Sequence, residues 1–93
     1  MFVLSCKDKA DSLPLRMATR EAHLAHVRAH LSLVKLAGPY LDAGGEMIGS
    51  LLILETEDEA QARAFADNDP YALAGLFERA ELTAFKASVG SLV

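Results

Sequence analysis

An α+β fold, a four-stranded antiparallel sheet with two helices on one face, follows from three features of the chain. Short β-prone runs and Ala/Leu-rich helical stretches alternate along 93 residues in the order β-α-β-β-α-β. The middle two strands are separated by Gly44-Gly45, a turn signal of the hairpin kind. The remaining connections are helical crossovers, whose right-handedness interleaves the two βαβ units into one sheet. The length suits a single domain spanning 1–93 and is too short for two cores.

Each element has its own warrant. Phe2 to Cys6 is apolar and β-prone and reads as a buried strand. Lys7 to Ser12 is a polar connection, and Pro14 stands where a first helical turn tolerates it. Leu15 to Leu33 lacks Gly and Pro and is rich in strong helix formers, which predicts one long helix. Val34 to Ala37 is a short strand closed by Gly38-Pro39, and Met47 to Glu55 is the apolar third strand. Its alternation sets Ile48, Leu52 and Leu54 on one face and Leu51 and Ile53 on the other. Thr56 with Glu59 resembles a capping box opening a helix over 57–66. Asn68-Asp69-Pro70 breaks that helix, because a residue before proline is driven out of the helical region. One or two further turns over 71–76, a strand over 78–85 and a loose tail complete the chain.

This pattern is a ferredoxin-like βαββαβ sandwich. Its second sheet face is also apolar and has no third layer to cover it, so pairing of two chains through that face, giving a two-sheet barrel-like interior, is the physical expectation.

Composition narrows the function classes. Apolar residues make up 52% and charged residues 24%, an ordinary globular balance. A net charge of -4 and a pI near 5.2 disfavour a nucleic-acid surface. No apolar run approaches the roughly 20 residues that span a bilayer, so no membrane partner is expected. The single Cys6 excludes an internal disulfide, suits a reducing compartment and reads as a buried, inert thiol. Met1 to Cys6 is too short for a signal-peptide core, and the expected location is cytoplasmic.

Few residues can carry chemistry. On a wheel of about 100° per residue, Met17, Leu24, Val27 and Leu31 form the sheet-facing stripe, with Arg20 inside it and His23 on its edge. Arg20 needs a partner or pocket there, unless it snorkels past the helix end. Ala18, Ala22, Ala25 and Ala29 line the far side, either for close helix approach or as exposed helix formers. His23, His26 and His30 cluster on the same helix, but three ligands from one straight helix close poorly around a tetrahedral ion. No metal or other cofactor is expected, and His26 and His30 read as solvated. By spacing alone His23 reads as an edge histidine, Asp69 as helix-stop chemistry and Ser50 as a polar strand residue. A carboxylate bonded to one imidazole nitrogen would nevertheless fix the tautomer and make the other nitrogen a base.

Five stretches taken together change that balance: Arg20-Glu21-Ala22-His23-Leu24-Ala25, Ala37-Gly38-Pro39, Gly49-Ser50, Ala66-Asp67-Asn68-Asp69-Pro70-Tyr71, and Ala74-Gly75-Leu76-Phe77 leading to Phe85. In this order and at these spacings they resemble the YciI-like (YCII-domain) family over nearly the whole chain. The resemblance implies a ferredoxin-like fold in the dimeric α+β barrel superfamily and a His/Asp site, carried here by His23 and Asp69. The wider superfamily includes muconolactone isomerases and dechlorinating or monooxygenase-like enzymes of ring-derived acids and phenols. The expected activity is therefore acid–base chemistry on a compact organic substrate without a cofactor. Arg20 would hold a carboxylate or phenolate, Gly38 and Gly49 would let backbone approach the ligand, Ser50 would donate a hydrogen bond, and Tyr71 would line the cavity or pack on the sheet. The alternative is a ligand-binding or accessory homodimer in which His23 and Asp69 brace the helix. The segment between Gly38-Pro39 and Gly49-Ser50, with Tyr40-Leu41-Asp42, is shorter than in many relatives and is expected to rim the pocket.

Overall fold

The computed structural model describes residues 1–91. Its elements are β1 (Phe2–Asp8), α1 (Leu13–Arg28), β2 (Val34–Leu41), β3 (Met47–Leu54), α2 (Glu59–Asp67), α3 (Pro70–Leu73) and β4 (Phe77–Ala84). The strands form one antiparallel sheet in the order β2-β3-β1-β4, the ferredoxin-like arrangement. The tail expected after Phe85 is described as far as Ser91, and its last two residues lie outside the described part.

Alternation along β1 turns Phe2, Leu4 and Cys6 toward the helices, where Leu52 and Leu54 of β3 join them. Val27, Ala62 and Phe65 close this core from the helical side, and Leu33 and Val34 enter it where the turn meets β2. Asp8 continues the same alternation and is buried at the strand's end.

Several boundaries differ from expectation. Helix α1 stops at Arg28 rather than Leu33, because the chain must turn for Leu33 and Val34 to enter the core. Tight bonds, His30 N–H to the Val27 carbonyl (3.0 Å) and Leu33 N–H to the His30 carbonyl (2.9 Å), make that turn without Gly or Pro. Strand β2 runs through Gly38-Pro39 to Leu41, since an edge strand tolerates proline. The cap of α2 is Asp58, which accepts from the Ala60 N–H at 3.0 Å. Thr56 instead accepts from the Asp58 N–H and donates to Gln61. At the hairpin, Asp42 accepts from the Gly44 and Glu46 N–H groups, and Gly45 takes a φ of 84°.

Two facial assignments are corrected. A register shift between Tyr40 and Leu41 places one extra residue in β3. Ile48 therefore sides with Ser5 and Tyr40 on the open face, while Met47 turns toward α1. Helix α1 is rotated from its apolar stripe: Met17 is 50% exposed whereas Arg16 and His23 are buried with Val27, and Leu31 lies exposed in the turn beyond the helix end. The stripe failed as a guide because Arg16 and His23 each have a buried carboxylate partner. The alanines of the far side are exposed. On the open sheet face Val3, Leu51 and Ile53 are half-buried, Leu36, Tyr40 and Ile48 are exposed, and Tyr40 Oη lies 2.9 Å from Ser5 Oγ.

Candidate active site

Asp69 precedes Pro70, so its backbone is extended (φ -62°, ψ 127°) and serves as the cap of α3. Its Oδ1 accepts from the Tyr71 N–H at 2.9 Å. The same carboxylate meets Nδ1 of His23, with Oδ1 and Oδ2 at 2.9 and 3.0 Å. Asp69 is only 1% exposed, and a carboxylate there requires a donor. Nδ1 therefore donates to that carboxylate, which leaves Nε2 as the ring nitrogen not committed to Asp69.

Tyr71 stacks on His23, ring centroids 4.1 Å apart and planes at 16°. The Arg16 guanidinium lies 4.5 Å from the centroid of the same tyrosine ring. Two planar groups this close cannot share one face of the ring, so Tyr71 is held between them. Burial raises the Tyr71 phenol above its ordinary value although the Arg16 and Arg20 charges oppose this, so it stays protonated at neutral pH.

Arg16 is itself 2% exposed. Its Nε and Nη2 donate to the two oxygens of Asp8 at 2.7 and 2.9 Å, and Nη2 also donates to Ser50 Oγ at 2.8 Å. Burial pulls the guanidinium down, but the Asp8 bond and charge outweigh it, and Arg16 is held above its ordinary range. Neither Arg16 nor Asp8 is among the residues expected from the sequence. Both carry a periodic signal: Arg16 stands seven residues before His23, on the same helix face. Asp8 extends the even-numbered buried set of β1.

These groups surround a cavity of about 230 Å³ lined by Arg16, Arg20, His23, Ser50 and Tyr71, with Gly38 and Met47 in its wall. Arg20 is exposed at its mouth. At Gly38 a Cβ would meet nothing within 4 Å, so this glycine leaves open space in the wall. Gly49 does not line the cavity: a Cβ there would clash with the Cys6 carbonyl oxygen and lie 3.0 Å from the Tyr40 ring. Its missing side chain serves close strand packing on the opposite face. The hairpin turn over 42–46 does not rim this cavity either; Asp42 and Glu46 line a separate hollow beside Lys7 and Lys9. A larger apolar hollow of about 550 Å³ lies under the tail, with Lys35 as its one charged side chain among the described residues.

The other titratable groups nearby are inert or structural. Burial pushes the Cys6 thiol up to about 12, with the Asp69 charge adding to the effect, so it is a protonated core residue and no nucleophile. His26 is not solvated as expected: its ring stacks on Phe65 at 4.5 Å, and its Nε2 donates to the Phe65 carbonyl at 3.0 Å. His30 is exposed. No group of three or more His, Cys, Asp or Glu suited to a metal occurs among the described residues. Among the same residues no helix is long and apolar enough to cross a membrane.

Known proteins share this architecture and sequence. Protein YciI of Escherichia coli O6:H1 and its counterpart from Shigella flexneri are each 37% identical over 98 aligned positions, covering 92% of this chain and 96% of the relative. A solved structure of 5-chloro-2-hydroxyhydroquinone dehydrochlorinase (TftG) from Burkholderia phenoliruptrix AC1100, in complex with 2,5-dihydroxybenzoquinone, superposes with a TM-score of 0.86. It is 34% identical and covers 91% of this chain and 92% of its own. A NIPSNAP domain protein from Burkholderia xenovorans, 14% identical with a TM-score of 0.51, shares the fold alone. The model of the YCII-related domain matches residues 1–86, and the chain belongs to that family.

Proposed function

We propose that this protein is a small acid–base enzyme acting on a compact hydroxylated ring or enolisable acid, with no cofactor taking part in the proton transfer. One observation carries the reading: a histidine whose Nδ1 is committed to a buried carboxylate lines a small cavity that also contains two guanidinium groups. His23 Nε2 takes a proton from the substrate, Asp69 holds the ring and steadies the imidazolium, and Arg20 attracts the anionic part of the ligand. The electron pair left behind settles on a ring or carbonyl oxygen. The proton then returns at another atom, an isomerisation, or the anion expels a leaving group, an elimination. A cavity below the usual range of roughly 300–1,000 Å³ suits one ring and not two. Support comes also from TftG, a dehydrochlorinase whose complex contains a hydroxylated quinone.

The working unit in this proposal is a homodimer closed through the open sheet face. Leu36, Tyr40 and Ile48 are exposed there beside half-buried Leu51 and Ile53, a contiguous apolar surface that water leaves poorly satisfied. Light scattering at micromolar concentration should give twice the chain mass; a monomer would remove this part of the reading.

A second reading has its own observation. Asp69 caps α3 while touching His23 on α1, so the pair could serve only to brace the two helices in a binding protein. His23→Ala separates the two. As a base, its loss should lower kcat about 10²–10⁴-fold on any substrate found among small cyclic acids, lactones and hydroxyquinones, beyond the loss of stability that a stranded Asp69 carboxylate brings on either reading. As a brace, its loss should lower the melting temperature, and the wild type should bind such compounds without turnover.

A further inference from the structure

Two buried groups in the cavity wall play no part in moving the proton. Ser50 accepts a hydrogen bond from Arg16 Nη2 at 2.8 Å, so its own hydroxyl hydrogen remains to be donated. Among the described residues no acceptor takes it, and Ser50 is buried while lining the cavity that His23 lines. Arg16 commits Nε and Nη2 to Asp8 and Ser50, which leaves Nη1 as its remaining donor beside the cavity it lines. Its guanidinium cannot swing, being forked on Asp8 and lying against the Tyr71 ring. Among the described residues the cavity lining contains Arg16, Arg20 and His23 and no carboxylate, with Asp8 and Asp69 standing behind Arg16 and His23, in a chain whose net charge is -4. The ligand that fits such a wall is an anion.

We propose that Arg16 and Ser50 form a buried oxyanion site for small ring anions, facing the oxygen that turns negative when His23 takes a proton. This rests on the acid–base reading above and deepens it. In the step, the substrate O–H or C–H bond breaks, the hydrogen passes to Nε2, and the electron pair moves onto the oxygen held by the Ser50 O–H and Arg16 Nη1. Nothing is oxidised or reduced. The same geometry assigns different work to the two arginines. Arg20, exposed at the mouth, attracts the charged ligand and its transition state alike and so acts on KM. Arg16 and Ser50 are fixed and dry, and their donors gain most from charge that develops during the reaction, so they act on kcat.

The test uses wild type, Ser50→Ala, Arg20→Gln and His23→Ala, each checked for folding by circular dichroism and melting. Two ring probes are titrated: 2,5-dihydroxybenzoquinone, a vinylogous acid ionised at neutral pH, and hydroquinone, which stays neutral. Wild type and His23→Ala should bind the anion at least about tenfold better than the neutral ring. Ser50→Ala should lose about tenfold or more for the anion and nothing for the neutral ring, the effect of one hydrogen bond to a charged group. On a turned-over substrate, Ser50→Ala should lower kcat about 10²-fold with KM nearly unchanged, while Arg20→Gln should raise KM. Equal affinity of wild type for both probes, or a Ser50→Ala protein that binds the anion and turns over like wild type, overturns the proposal. If His23→Ala keeps full turnover while Ser50→Ala loses the anion, the oxyanion site stands and the acid–base reading falls. The reverse pattern sinks the oxyanion site alone.

Discussion

Asp8→Ala should lower the melting temperature by roughly 15–30 °C, because it strands a buried guanidinium. Arg16 is 2% exposed and takes both Asp8 oxygens at 2.7 and 2.9 Å; without them Ser50 is its one remaining hydrogen-bonded acceptor among the described residues. Breaking a buried ion pair by removing one member costs about 3–5 kcal/mol, and in a domain of this size each kcal/mol is worth roughly 4–8 °C. Set against a total stability of about 5–15 kcal/mol, that is a large share. The pair is not needed for stability as such. Replacing both members by apolar residues of similar volume, Asp8→Val with Arg16→Met, should recover most of the loss, since a well-packed hydrophobic pair can match a buried ionic one. Thermal melts of the two single variants and the double variant decide the matter. A single variant melting within about 3 °C of wild type would mean that water reaches the pair, and a double variant as unstable as the single ones would mean that the site cannot repack. The pair's persistence in the native chain then has to be sought in what Arg16 does in the cavity.

Asp69→Asn should reduce kcat/KM about 10²–10⁴-fold while leaving the fold nearly as stable. The carboxylate places both oxygens within 3.0 Å of His23 Nδ1 and also accepts from the Tyr71 N–H. An asparagine oxygen can keep the cap, but its NH₂ must then occupy the other position beside Nδ1. The imidazole answers by accepting there and carrying its proton on Nε2, which makes the cavity-facing nitrogen a donor and removes the base. Nitrogen-15 spectra of the histidine ring should show the change of tautomer directly. Asp69→Ala should be worse in a different way: it also loses the helix cap, about 1 kcal/mol, and leaves a buried N–H without an acceptor. Turnover of Asp69→Asn within about threefold of wild type would contradict the orienting role.

What could be read from the chain depended on whether a local rule governed it. Asp69-Pro70 was legible because proline restricts the residue before it whatever the surroundings. The Gly44-Gly45 turn was legible for the same kind of reason. Arg16 was not, because hydrophobicity measures a side chain alone, and its burial follows from a carboxylate eight residues earlier on another element. That one error also rotated α1, sending Met17 inward on paper and into water in fact, while Leu31 is exposed because the helix ends before it. Gly49 was misassigned to the ligand because a glycine beside a serine looks the same whether it admits a substrate or a neighbouring strand; only the Cys6 carbonyl and Tyr40 ring distinguish them. Ile48 changed faces through a single extra residue, and periodicity of two cannot register such a slip.

The double employment of Asp69 bears on how kindred proteins should be sorted. A homologue that abandoned chemistry would still be held to a side-chain oxygen at this spot, aspartate or asparagine, since folding demands an acceptor for the tyrosine amide. Survival of a capping oxygen is therefore uninformative about activity, and the acid paired with an imidazole is the combination to inspect first.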